Sequence, residues 1–590
     1  MALRGAPADV WTKVTSPHFT ILTSAGESTA REWATVLEEF RRGMQAIVPV
    51  PVDKLRPVTV VLFKTDKAME PYLPLEKGKP ARIGGYFVRA NEINVIMLSL
   101  DGGDEEVRHT IFHEAVHWHL SAFEGPMPLW LGEGLAELYA TFKLTDEKTY
   151  TFGAPLTHAI RLLRREPLMP LSRLFGTGTE SLLYNEGDRA SIFYAQSWAL
   201  VHFILFGEGS PGRDSIMRYL ELLPTAQSAD EAFVTAFGTN HGAIEKRLRT
   251  YIMRGSYRMH RYPRTTADIA KLLKVSRAAP GDIEQAKGLL LLGAQKTEAA
   301  EASLRRAVVL APKDPRGWEL LGQIALERKD YTEALEVLTK AMAAGSTNYL
   351  VYHNLGVSYF PPSMLPNVAF VAHDPVQMDK AAASFRMAIQ LAPAHVESYE
   401  GLAGMMHGMQ SQDPGDMDLL ARGARLAPNN ARIEAGIAAG EFRAGRGKDG
   451  RERLERLLAK HGDSEEGGVR FARKMLANEV LKVEMEEIDR LAKQSRFDEA
   501  LAVVDRGLAR DLEAAHRQAL ETAQRSLRSY RTIAGAVERA NRGEVEAARK
   551  ALDELLADKP ERAIKADAER LLREITRHEE RVKRRAEREN

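Results

Sequence analysis

The residues with the most chemistry to offer lie between Asp104 and Phe142, in DEEVRHTIFHEAVHWHLSAFEGPMPLWLGEGLAELYATF. Within this stretch, His113-Glu114-Ala115-Val116-His117 sits in a segment whose pattern predicts a helix from Asp104 to about Phe123. Side chains four apart on a helix leave one face, one turn apart. Two neutral imidazole nitrogens at that separation can hold one small divalent ion, and zinc is the usual choice for such ligands. Glu114, next to the first histidine, can lean over the ion and take a proton from its water. A catalytic zinc site also needs a third protein ligand and an open fourth position. Pro128 restarts the chain, and a second helix is expected from Leu129, with Trp130-Leu131-Gly132-Glu133-Gly134-Leu135-Ala136-Glu137. Packed antiparallel on the first, it can offer Glu133 as that ligand. Glu137, one turn further on the same side, can accept a hydrogen bond from the non-ligating nitrogen of a zinc histidine. A plain amphipathic helix pair with satisfied histidines would leave an acidic residue on an otherwise apolar helix unexplained. His119, two residues past His117, points off this face.

H-E-x-x-H followed by P-x-W-L-x-E-G-L-A-E resembles the gluzincin metallopeptidases, specifically their peptidase MA-like bacterial branch. The resemblance runs from about Val10 to Tyr257. It implies zinc on His113, His117 and Glu133, with Glu114 as general base. It also implies a peptide substrate lying as an added strand along a sheet edge. The Gly84–Phe87 segment is expected to border that cleft, its glycines admitting a peptide backbone at close range. Such enzymes stabilise the oxyanion with a Tyr or His from a later helix. Tyr194-Ala195-Gln196-Ser197 matches the branch's Y-x-Q-S pattern, which makes Tyr194 the first candidate. Tyr184 and His158 are the alternatives, and His202 reads as buried structure. No amine-capturing glutamate pattern precedes the helix, which tilts the expectation toward an endopeptidase.

These side chains need a scaffold. His18–Ser24 alternates and predicts a strand. Thr29–Ile47 has helical spacing, with Trp33, Leu37, Phe40 and Met44 on one stripe. Pro57–Lys64, rich in β-branched residues, predicts a central strand, and Gly84–Phe87 with Glu92–Leu98 predicts a strand pair. Ala190–Phe206 predicts a long apolar helix. The expected class is α+β: a zincin-like domain of mixed sheet plus helices over 1–262, then a linker over 263–282.

Beyond that a repeat emerges. Gly288, Ala300, Leu304 and Ala307 recur 34 residues later as Gly322, Ala334, Leu338 and Ala341. A third unit opens at Tyr352, Leu355, Gly356 and Tyr359, and resumes with Ala381, Phe385 and Ala388 after a proline-rich insertion at about 360–378. A looser fourth unit follows from Tyr399, Leu402 and Pro428. The period and the small-residue positions match tetratricopeptide repeats, expected over 283–430. Degenerate helical repeats and a charged C-terminal helix are expected over 431–590. A protein partner in the repeat groove is the implied role.

Composition sets outer bounds. A chain of 590 residues is too long for one core. Net charge is +1 with 28% charged residues, which offers no nucleic-acid footprint. With no cysteine, thiolate metal sites and thiol catalysis are excluded. No apolar run is long enough to span a bilayer. The opening MALRGAPADVW lacks the apolar core of a signal peptide. The resembled family is often exported, so the periplasm, with a leader absent from this sequence, and the cytoplasm both stand as expectations. Two functions follow: a zinc peptidase whose repeats recruit protein or substrate, or a repeat scaffold carrying an inactive protease-like domain.

Overall fold

The structure is a computed structural model. It describes residues 10–589 apart from 52–54, 77, 82, 91, 124–126, 147, 179–186, 224–227, 265–267, 361–373, 407–412, 463 and 465. Tyr184 and most of the expected insertion lie outside the described residues. The chain forms two compact units, Met1–Ser358 and Tyr359–Asn590.

The first unit is built on a six-stranded sheet. Its strands are β1 (Thr12–Thr15), β2 (Phe19–Thr23), β3 (Val58–Phe63), β4 (Gly85–Ala90), β5 (Ile93–Ser99) and, far along the chain, Lys274–Arg277. The last of these pairs antiparallel with β1, through Thr12↔Arg277 to Thr15↔Lys274. From there the order runs β1-β2-β3-β5-β4. The β2, β3 and β5 strands are parallel, and β4 is an antiparallel edge. β3 is apolar at every position but Thr59 because both of its faces are buried. Val58, Val60 and Leu62 enter one core, and Val61 and Phe63 enter another.

The first core lies under α1 (Glu27–Ile47) and α2 (Asp104–Leu120). The stripe Trp33, Leu37, Phe40 and Met44 is buried there as its spacing predicts. This core continues into α3 (Leu129–Tyr139), α4 (Thr157–Arg165) and α5 (Gly187–Phe206).

The second core was not legible as such. It joins Leu22, Val61, Phe63, Val88, Val95 and Met97 of the sheet to Ala286, Leu289, Leu290, Leu304, Leu320 and Leu321 of the first repeats. Those repeats are α6 (Pro280–Gly293), α7 (Thr297–Leu310), α8 (Pro315–Glu327) and α9 (Tyr331–Ala343). The segment expected as a linker, 263–282, is therefore corrected: it holds a sheet strand and the start of α6, whose Pro280 stands at the first helical position. An unpaired β1 edge gains a ladder of backbone hydrogen bonds this way.

Within each repeat, glycine lets two helices touch. A Cβ on Gly288 would fall 2.6 Å from Leu304, and 34 residues on Gly322 meets Leu338 in the same manner. The turn inside each hairpin recurs too. Lys296 N–H bonds to Leu291 O and Gln295 N–H to Leu292 O; Asp330 and Lys329 repeat this onto Ala325 and Leu326. This is the double hydrogen bond of a Schellman motif, with Gln295 and Lys329 in the left-handed region.

The second unit carries the same turn where the sequence pattern fades. Arg446, Arg496 and Glu544 bond back five residues to Glu441, Leu491 and Arg539. Gly445, Ser495 and Gly543 hold the positive φ before them. Three of the helices here are long: Gly467–Lys493, Ala514–Asn541 and Arg562–Glu589. Each neighbouring set closes its own small core, as in a quasi-one-dimensional array.

Candidate metal centre

The helix pair expected to carry the chemistry forms. α2 begins at Asp104 behind Gly103, with three acidic residues in its first turn that suit the helix dipole. α3 begins behind Pro128. α3 can approach α5 because residue 134 is glycine: a Cβ there would lie 2.5 Å from the Ser197 backbone oxygen and 2.6 Å from Val201. Gln196 fixes the preceding loop from the α5 side. Its carboxamide donates to Met169 O and accepts from Met169 N–H, both at 2.7 Å.

The three expected ligands converge. His113 Nε2 and His117 Nε2 are 3.1 Å apart. Glu133 Oε2 lies 3.2 Å from the first and 3.5 Å from the second. Among the described residues, this trio is the group of metal-ligating side chains whose donor atoms cluster. Four ligands about 2.0–2.1 Å from a tetrahedral zinc stand roughly 3.3 Å from one another. The observed triangle fits that spacing, and its donor set of two imidazoles and a carboxylate is a zinc type. Glu133 is 4% exposed.

The electrostatics point the same way. Burial would lower the His113 imidazole, but the Glu133 and Glu137 carboxylates outweigh it and hold the group well above its ordinary value. Burial would raise Glu133, yet hydrogen bonds from His113 and His117 bring it to about 2. A divalent cation bound here would compete with protons for these nitrogens, so its affinity would depend on pH.

Around the trio, Glu137 Oε1 lies 3.4 Å from His113 Nδ1, the contact expected of it. Glu114 is half-buried and near enough for its charge to act on His113. Tyr194 comes alongside, its ring centroid 6.3 Å from that of His113. His158 is exposed on α4. His119 turns away to Val48 O at 2.8 Å, and His202 is buried between Gly153 O and the Tyr251 hydroxyl. Gly84–Phe87 runs into the edge strand of the sheet, but the reason given for its glycines needs a correction. A Cβ at Gly85 would meet Met97 O at 2.5 Å and Thr110 at 3.2 Å, so the chain's own β5 and α2 take up that room. One residue escaped the sequence reading altogether: His109 Nε2 lies 3.2 Å from Glu137 Oε2. Its signal was a third histidine at the same four-residue spacing.

Comparison with known proteins speaks to the repeats. Residues 286–349 match the tetratricopeptide repeat family. No curated protein sequence matches the chain. Among solved structures, it is similar to YrrB, described as a TPR protein with an unusual peptide-binding site, at 17% identity and a TM-score of 0.27, covering 32% of this chain and 90% of that one. A thermophilic TPR protein of Thermus thermophilus, TTC0263, gives 18% and 0.21, covering 33% and 99%. PilF of Pseudomonas aeruginosa gives 17% and 0.24, covering 41% and 96%. Likenesses of this size fix neither activity nor partner. The chain carries tetratricopeptide repeats, a module that binds protein partners. Among the described residues, no helix is long and apolar enough to cross a membrane.

Proposed function

We propose that the first unit is a zinc-dependent peptidase of the gluzincin type, acting within peptide chains, with the repeats recruiting its protein substrate or a partner. The observation that carries this reading is the triangle of His113, His117 and Glu133, at 3.1, 3.2 and 3.5 Å. A bound zinc ion would acidify a water in its open position and polarise a peptide carbonyl. Glu114, free of the trio, accepts the proton of the attacking water and returns it to the leaving amine. Tyr194 stands beside His113, where its hydroxyl can donate to a developing oxyanion. Glu137 holds the ring of His113. The free edge of β4 offers backbone groups to an extended peptide.

The other reading makes the repeats the working part and the first unit a folded platform. It is favoured by the family match, which reaches the repeats alone. Metal analysis of the purified protein separates the two. The peptidase reading expects one zinc per chain, lost in H113A, and peptide-library cleavage that a chelator stops. E114Q should keep zinc and fold while hydrolysis drops by about a thousandfold or more, the scale of a lost general base together with its proton return. Undiminished turnover in E114Q would remove Glu114 from the mechanism. A zinc-free protein that still binds partners would leave the platform standing.

A further inference from the structure

We infer that His109 is a positioning residue of the metal centre, acting on zinc through Glu137. The inference rests on the zinc reading above. α2 presents three histidines in one stripe, His109, His113 and His117, and α3 presents Glu133 and Glu137 against them. The two rows interleave. Glu133 Oε2 meets His113 and His117, while Glu137 meets His113 with Oε1 and His109 with Oε2. Each oxygen of Glu137 thus has its own imidazole nitrogen, at 3.4 and 3.2 Å.

The second donor matters because the terminal torsion of a glutamate is broad. Held by His113 alone, the carboxylate could swing about that torsion and let the His113 ring turn with it. Held from both sides, it is fixed before any ion arrives, so metal uptake has less to order. A fixed Glu137 keeps the proton of His113 on Nδ1 and leaves the Nε2 lone pair aimed at the ion. His109 is four residues from the nearest ligand and outside the trio whose donor atoms cluster, so its effect passes through Glu137.

Zinc affinity measured by chelator competition tests this, on the full chain, in the wild type, H109L, H109Q, E137Q and the double variant H109L/E137Q. The melting temperature of each metal-free protein is read alongside. H109L should weaken zinc about tenfold, the low end for groups that orient metal ligands. H109Q keeps an N–H donor at similar reach and should stay within about threefold of wild type. E137Q should weaken zinc at least as much as H109L, and the double variant no more than E137Q, because the two losses share one route. Wild-type affinity in H109L, equal losses in H109L and H109Q, additive losses in the double variant, or losses that merely follow a lowered metal-free melting temperature would each overturn the assignment. A wild-type protein that takes up no zinc would instead overturn the metal reading beneath it.

Discussion

The two faces of the six-stranded sheet are covered by unlike material. On one face, under α1 and α2, the core is laced with polar groups: His119 on Val48 O, His202 on Gly153 O and Tyr251, Gln196 on the Met169 backbone, and the metal-site carboxylates. On the other face, the repeats seal an apolar core, with Lys13–Asp282 at the rim and the Tyr86 hydroxyl donating to Leu290 O. Buried polar groups are tolerated where each finds a partner, and the first face is the one that carries the candidate metal centre. The second face needs only to close. The edge strand β4 belongs to both, sending Phe87 to the first core and Val88 with Tyr86 to the second. The repeats are thus part of the wall of the first unit.

Cutting the chain breaks this comparison most severely. A protein ending at residue 262 would expose Leu22, Val61, Phe63, Val88, Val95 and Met97 together. At about 1.5–3 kcal/mol for each large apolar side chain, roughly 10 kcal/mol of burial is lost, which is comparable to the whole stability of a typical domain. We expect that protein to aggregate or to lose cooperative unfolding. One ending at Ser358, the limit of the compact unit, should unfold cooperatively by circular dichroism. A soluble, cooperatively folding 1–262 fragment would return the repeats to the status of an appendage.

A matched pair of single methyl additions sharpens the contrast. On the metal face, a Cβ at Gly134 meets the Ser197 backbone at 2.5 Å, which cannot give way without moving α3. On the repeat face, a Cβ at Gly293 meets the Val88 side chain at 2.5 Å, which can shift in part. G134A should cost about 3 kcal/mol and weaken zinc, because Glu133 and Glu137 ride on α3; G293A should cost about 1–2 kcal/mol and leave zinc affinity unchanged. Denaturant titration and chelator competition read both. A loss of zinc affinity in G293A would mean that strain crosses the sheet through β4 to Thr110 of α2.

What the sequence could and could not say follows the same division. The histidine pair was legible because four-residue spacing on one helix brings His113 and His117 to one face; Glu133 sits on a second helix, and its place beside them was an expectation of the gluzincin resemblance. β3 was legible from its richness in β-branched residues. The strand Lys274–Arg277 was not, because its side chains are largely exposed and its pairing with β1 spans some 260 residues of chain. Nor was the double duty of α6, since Leu289 and Leu290 look the same whether they face another repeat or a sheet. The later hairpins faded for a different reason. Their turns are held by backbone hydrogen bonds, and the left-handed position is filled by Ser495 as well as by Gly445 and Gly543. The insertion and Tyr184 lie outside the described residues, and Gly85 was read as room for a substrate when its own neighbours fill that room.

The last predicted effect is one of pH, and it should belong to the metal face. Burial holds the His202 imidazole down at about 4, neutral between Gly153 O and Tyr251. His119 is lowered by burial as well. A histidine depressed in the folded state binds its proton first in the unfolded chain, so stability falls as pH drops below the unfolded value near 6.5. His113 works the other way: being raised, its contribution is full only once the unfolded imidazole is protonated too, below about 6.5. Glu38 and Glu133 are depressed carboxylates, whose contribution is lost only as pH falls below about 4.5. Between pH 6.5 and 5 His202 should remove about 1.5 kcal/mol of stability. Denaturant titration of the metal-free chain ending at Ser358 measures it, and H202Q should flatten the slope while lowering stability at neutral pH. Among the described residues up to Ser358, the buried histidines are His119 and His202, bonded to Val48 O and Gly153 O. An equal slope in H202Q would mean that the acid response arises outside the α5 layer and that the two faces do not differ in this way.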